Sequence, residues 1–180
     1  DEQVRGKPYG VDIIVPAKYE GKGENVTAAQ LADRIPDYYT SYVRELLVSH
    51  GIPAEEGPRF GGSSLSGDTG EALLEVALRH PIKLMANALG VPPAYMIEAG
   101  RASGVPVAAL VGAKEHALKQ AKAGVDIIVA QGTEAGGHCG EVSTLCLVPE
   151  VLDALADVGS DVPVLAAGGI VTGRQMAACV

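Results

Sequence analysis

The chain is built from short apolar runs that alternate with amphipathic stretches of helix length. The apolar runs are nearly continuous, a pattern typical of strands buried on both faces of a sheet. Five candidate strands occupy residues 9–15, 82–89, 105–111, 125–130 and 162–167. Helices are expected over residues 37–49, 69–78, 93–103, 114–123 and 149–158.

This alternation predicts βαβ units and a parallel sheet covered by helices. Similar strand entries, GVPV at 104–107 and DVPV at 161–164, indicate that one unit recurs. We therefore predict an α/β fold of the (β/α)8 TIM-barrel type, with residues 1–180 forming a single segment. Because such barrels typically have about 250 residues, five strands in a chain of this length predict an incomplete barrel. An open doubly wound sheet is the alternative.

Composition and charge narrow the function classes. The chain has 180 residues, 47% of them hydrophobic, enough for one sizeable core. A formal net charge of −8 disfavours nucleic acid and anionic membrane surfaces as partners. No apolar run is long enough for a membrane span and no signal pattern opens the chain, so a cytoplasmic protein is expected.

The cysteines give no sign of a disulfide framework or a metal site. Cys139, Cys146 and Cys179 are odd in number and lack CxxC spacing. We expect buried or incidental thiols and no metal ligands.

The run AQGTEAGGHCGEVST follows the fourth candidate strand directly. It therefore leaves that strand at its carboxyl end, where α/β folds place their chemistry. Its glycines allow positive φ angles or a close approach to a ligand, and His138 supplies an imidazole, a side chain often used as a general acid or base. His138 is thus a candidate base, with a hydrogen-bonded structural histidine as the alternative. Glu134 either orients His138 or is simply solvated.

Two further loops are rich in glycine. The strand at 162–167 runs into Gly168 and Gly169, and a helix is expected to begin near Thr172. Paired glycines before a helix are typical of a phosphate site, although tight packing explains them equally well. The Gly/Ser-rich stretch 55–70 is either a lid or an ordinary surface connection.

Three segments carry a family resemblance. AQGTEAGGHCGEVST, VPVLAAGGIVTGRQ (162–175) and HPIKLMANALGVPP (80–93) resemble the nitronate monooxygenase, or 2-nitropropane dioxygenase, family of FMN-dependent barrels. The resemblance runs from about Pro8 to the last residue. It implies that the chain corresponds to barrel strands three to seven.

The resemblance also assigns roles by position. His138 falls on the histidine that removes the α-proton of a nitroalkane or orients the nitronate. Gln131 and Gly136 fall on positions that contact the ring and ribityl region of FMN. Gly168 and Gly169 fall on the phosphate-binding turn.

Asp12 and Lys83 are further candidates for contact with the cofactor. Asp12 stands where the family often has the asparagine of a GVN motif, and a carboxylate there disfavours an anionic reduced flavin unless it is paired. Lys83 is expected either to meet the FMN or to extend to solvent at the surface.

The resemblance implies an FMN-dependent oxidation of alkyl nitronates by O2 to a carbonyl compound and nitrite. The expected partners are a small-molecule nitronate and O2, with a homo-oligomer as a further expectation. An FMN- and NAD(P)H-dependent enoyl reductase is one alternative, because those enzymes carry a similar EAGGH loop. A truncated, non-catalytic flavin or phosphate-binding protein is the other.

Overall fold

A computed structural model describes residues 4–16, 33–53 and 67–180. The chain divides into two compact units, one formed by Asp1–Ala17 with Gly67–Val180 and the other by Lys18–Ser66. A single barrel segment over residues 1–180 therefore stays a prediction. Residues 55–66 of the predicted lid lie outside the described residues, whereas 67–70 belong to a helix.

The described part of the smaller unit contains one helix, α1 (Asp37–Ser49), with the predicted bounds. Its larger apolar side chains, among them Tyr38, Tyr42 and Leu46, are exposed.

The larger unit contains a five-stranded parallel sheet. Its strands are β1 (Gly10–Asp12), β2 (Leu84–Asn87), β3 (Val107–Val111), β4 (Ile127–Gln131) and β5 (Val164–Ala167). They lie side by side in chain order, so β1 and β5 are the edges. A doubly wound sheet reverses its strand order at a switch point. The uninterrupted order instead matches a segment of a barrel, which confirms the predicted α/β class and excludes the alternative.

Helices connect the strands, as predicted. They are α2 (Gly67–Leu78), α3 (Ala94–Ser103), α4 (Lys114–Ala123), α5 (Thr144–Asp157) and α6 (Gly173–Ala177). Within the described residues, no helix is both long and apolar enough to cross a membrane.

The largest difference from the predicted helices is the start of α5. The amphipathic pattern predicted a helix over residues 149–158, which puts Pro149 at its first residue. Instead, α5 begins five residues earlier and Pro149 lies inside it. Leu147, Val151 and Leu155 are fully or almost fully buried and form one face of the helix, so core packing outweighs the hydrogen bond lost at the proline.

The two faces of the sheet differ. On one face, Ala109 and Ile128 pack with the buried side chains of α4 and α5, while Met85 and Val107 pack with residues from α2 and α3. The opposite face carries the alternating residues and is less covered, since Leu165 is 50% exposed. Asp12 and Gln131 lie on this second face, at the carboxyl ends of their strands.

Candidate active site

Gln131 and His138 come together at the carboxyl end of β4. The side-chain Nε2 of Gln131 donates a hydrogen bond to the backbone oxygen of His138 over 3.2 Å. The N–H of Thr133 donates to the oxygen of Val142 over 3.0 Å and closes the base of the loop. The His138 side chain is exposed, and Gly137 beside it has a φ of +76°. The strand end therefore holds the backbone of the loop while the imidazole faces outward.

Glycines bring the neighbouring loops into backbone contact with this one. A Cβ on Gly132 would fall on the backbone nitrogen and Oγ1 of Thr144. A Cβ on Gly112, at the end of β3, would lie 2.6 Å from the Cα of Gly140. Several glycines of the motif are thus required by packing between loops.

Gly136 differs from these glycines. It is exposed, its φ is not positive, and a Cβ there would meet no atom within 4 Å among the described residues. Packing in the described part of the chain therefore does not explain the glycine at this position.

Glu134 is exposed, which fits the expectation of a solvated side chain, but its carboxylate also bonds to the start of α5. Its Oε2 accepts hydrogen bonds from the N–H of Thr144 over 2.8 Å and from the Thr144 hydroxyl over 2.9 Å. These bonds, first that from the N–H, lower the pKa of the Glu134 carboxyl below its ordinary value. Ser143 makes no side-chain capping bond, so Glu134 caps the first turn of α5 from ten residues upstream.

The turn after β5 is shaped as the paired glycines predicted. Gly168 and Gly169 have φ angles of +112° and +68°, in the region that favours glycine. Two N–H groups that precede the following helix are engaged by one of its own side chains. The Oε1 of Gln175 accepts from the N–H groups of Val171 and Thr172, each over 2.9 Å, within a capping box. These bonds do not engage the N–H groups of Gly173 and Arg174 in the first turn of α6. The contribution of the helix start near Thr172 to a phosphate site therefore stays a prediction.

Asp12 lies on the same face of the sheet as Gln131, and both residues lie at the carboxyl ends of their strands. The structure does not bring the two side chains close together. Strands β2 and β3 separate the two, which corresponds to about 14 Å across the sheet. Partial burial raises the pKa of the Asp12 carboxyl above its ordinary value.

The structure does not support two further expectations, which concern Lys83 and the cysteines. Lys83 precedes β2 and is exposed at the amino end of the sheet, opposite the His138 loop, so the expected contact with a ligand at that loop is not supported. Cys139, Cys146 and Cys179 are free thiols and all three are exposed, so the reading of these thiols as buried was wrong.

Asn87 is a structural residue that sequence reasoning missed. It is fully buried at the end of β2, where its Oδ1 accepts from the N–H of Val15 over 2.8 Å. Its Nδ2 donates to the oxygen of Gly90 over 3.1 Å, and Gln120 donates to the same oxygen. This network fixes the exits of β1 and β2, and an asparagine inside the apolar run 82–89 is its signal in the sequence.

Comparisons with known proteins agree with this geometry. The profile described as nitronate monooxygenase matches residues 2–180. A Mycobacterium tuberculosis protein named as a monooxygenase is 49% identical over 99% of this chain and 48% of its own length. The solved nitroalkane oxidase from Streptomyces ansochromogenes matches with a TM-score of 0.72 and 28% identity, covering 99% of this chain and 49% of that one. FabK from Thermotoga maritima matches with a TM-score of 0.62 and 25% identity, over 99% and 39% of the two chains.

This chain spans about half the length of the first two of these proteins. The matches also settle the resemblance seen in the three sequence segments, because the family profile covers almost every residue. The chain belongs to the nitronate monooxygenase family.

Proposed function

We propose that the complete protein is an FMN-dependent oxidoreductase that oxidises an alkyl nitronate with O2 to a carbonyl compound and nitrite. The observation that carries this proposal is that the His138 loop and the Gly168–Gly169 turn meet at the carboxyl end of the sheet. Gly132, between them, bonds to both segments, since its N–H donates to Ala167 and its oxygen accepts from Ala135, each over 3.0 Å. The carboxyl end of the sheet thus combines an imidazole with backbone that carries no Cβ, in a chain of this family.

The residues at this end of the sheet fit a bound FMN. Gly168 and Gly169 present backbone without Cβ atoms, which suits close approach of phosphate oxygens. Gln175 already engages the N–H groups of Val171 and Thr172, so we assign the phosphate to the N–H groups of the glycine turn. The open surroundings of Gly136 suit the ribityl and ring region. The amide of Gln131 has a second N–H and a carbonyl oxygen with which it can bond the ring.

Asp12 is the residue that fits least well. Its raised pKa shows that partial burial already disfavours its charged form. A negative charge on a nearby flavin would disfavour that form further. We propose that Asp12 borders the ring and tunes it through this mutual repulsion.

His138 would act on the substrate. FMN, when bound, supplies the electron chemistry. The exposed imidazole lies on a loop whose backbone is held by Gln131, so it can approach an α-carbon without losing its position. We propose that His138 removes the α-proton of a neutral nitroalkane and, with a preformed nitronate, orients the anion.

Comparison of two substrates in His138→Asn tests this role. A neutral nitroalkane must lose a proton, whereas a preformed nitronate has already lost it. In the complete protein we expect activity on the nitroalkane to fall about 10²-fold or more, while activity on the nitronate is largely kept. Equal losses on both substrates with intact FMN content would instead make His138 a positioning residue.

The visible spectrum of the complete protein tests the function as a whole. Under anaerobic conditions, added nitronate should bleach the flavin bands and admitted O2 should restore them. A protein purified and reconstituted without flavin absorption would support the alternative of a non-catalytic protein.

An enoyl reductase remains the second candidate, and the likeness to FabK supports it. Reduction of the flavin by NAD(P)H in the absence of nitronate would favour this candidate.

The cytoplasmic location and the homo-oligomer also stay predictions.

A further inference from the structure

The hydroxyl of Thr144 lies among three acceptor oxygens from two different loops. It is 2.9 Å from Oε2 of Glu134, 3.0 Å from the oxygen of Gly168 and 3.3 Å from the oxygen of Ala167. A hydroxyl has one proton and donates to one acceptor at a time. Thr144 is 7% exposed, whereas Glu134 is exposed, so the carboxylate reaches a buried hydroxyl at the start of α5 from the solvent side.

Steric contacts join the same groups. A Cβ on Gly168 would lie 2.7 Å from Oγ1 of Thr144 and 3.1 Å from the backbone nitrogen of Ala135. A Cβ on Gly169 would lie 3.0 Å from Cβ of Glu134. The glycine turn therefore rests directly on Glu134 and Thr144, without side chains of its own between them.

We propose that Glu134 is a positioning residue which, through Thr144, joins the His138 loop to the Gly168–Gly169 turn. Glu134 precedes His138 by four residues in the same loop, and its carboxylate holds the amino end of α5. Thr144 transmits that position to the turn. The imidazole and the proposed phosphate contact are then kept at a fixed separation. The catalytic part of this inference rests on the proposed function, whereas the joint itself does not.

The joint is tested by hydrogen exchange in the complete protein without added ligand. Glu134→Ala and Thr144→Val should each speed amide exchange about tenfold in both segments, residues 132–140 and 168–171. Thr144→Ser keeps the hydroxyl and should behave like the unchanged protein. Glu141→Gln is the matched control, because Glu141 is exposed in the same loop. Wild-type exchange at 168–171 in Glu134→Ala would overturn the proposal.

The positioning role is tested by FMN affinity and steady-state kinetics. Glu134→Ala should weaken FMN binding about tenfold and lower kcat on nitronate 10- to 100-fold, since small misplacements are costly to rate. Glu134→Gln should recover most of kcat, because its amide oxygen still accepts from the Thr144 N–H. Adding Thr144→Val to Glu134→Ala should lower kcat and FMN affinity little further, as expected for two residues that act together.

The outcomes separate the two hypotheses. Fully additive losses, or a lower melting temperature with unchanged kcat and FMN affinity, would show that Glu134 is a simple helix cap and would overturn the proposal. If the unchanged complete protein neither binds FMN nor oxidises nitronate, the proposed function fails. The exchange measurement still decides on the joint in that case.

Discussion

Gly132→Ala adds one methyl group where β4 meets the first turn of α5. Gly132 is buried and its φ is not positive, so alanine is acceptable to its own backbone and the effect is steric. The new Cβ would lie 2.6 Å from Cα of Thr144, closer still to its nitrogen and Oγ1. Restoring an ordinary 3.4 Å contact with Cα requires Thr144 to retreat by about 0.8 Å.

That retreat has two expected consequences. Overpacking of this size costs about 1–3 kcal/mol of the free energy of unfolding. The 2.8 Å bond from the Thr144 N–H to Glu134 would also stretch toward the limit of hydrogen bonding, which loosens the His138 loop. We therefore expect a lower urea midpoint with an unchanged slope, and a fall in kcat on nitronate of about 10- to 100-fold.

Gly136→Ala is the stability control in the same loop. Its Cβ meets no described atom within 4 Å, so the free energy of unfolding should change by less than about 0.5 kcal/mol. Both variants are compared with the complete protein in urea titrations without FMN. A Gly132→Ala protein as stable and active as the unchanged one would refute the contact between Gly132 and Thr144.

Three other predictions concern pH and glycine geometry. The pKa of Glu134 is lowered, so its stabilising contribution is present above the unfolded value near 4.3 and is lost as pH falls through the folded pKa. Glu134→Gln should thus melt lower than the unchanged protein at pH 7, and the gap should close toward pH 3. The pKa of Asp12 is raised, so stability falls as pH rises from the unfolded value near 3.9 through the folded pKa. Asp12→Asn should melt higher at pH 7 and lose this gain in acid; an equal or lower melting temperature at pH 7 would contradict the cause assigned to the shift. Gly169→Ala is strained by its φ of +68° and presses on Glu134, so FMN affinity should fall about tenfold, whereas Gly173→Ala, in open space, should leave it unchanged in a fluorescence titration.

Much of the sheet could be predicted because continuous apolar runs are a direct signal of strands buried on both faces. Helices α1 and α4 have exactly the expected bounds. The start of α5 could not be predicted from local preference alone. Its first turn is fixed by the Glu134 cap and by the packing of Leu147, and both depend on contacts that a local pattern does not contain.

The candidate site was predictable to a similar degree. The glycine-rich run after β4 correctly indicated a loop at the carboxyl end of the sheet, with Gln131 beside it. The capping role of Glu134 was missed because its partner Thr144 lies ten residues later, in a segment where the predicted helix began only at Pro149. Lys83 was considered for the FMN although it is the second residue of its apolar run, which in a parallel sheet places it at the amino end, away from the glycine-rich loops.

The backbone contact between Gly112 and Gly140 has a consequence for engineering this protein. Because the loops after β3 and β4 touch through glycine backbone, neither can be exchanged alone for a loop with larger residues at these positions. Cys139 and Glu141, on either side of Gly140, are exposed, so we expect their substitution to leave that contact intact. Libraries that aim to change substrate preference should therefore vary these two positions and keep Gly112 and Gly140 constant, so that diversity accumulates without loss of fold.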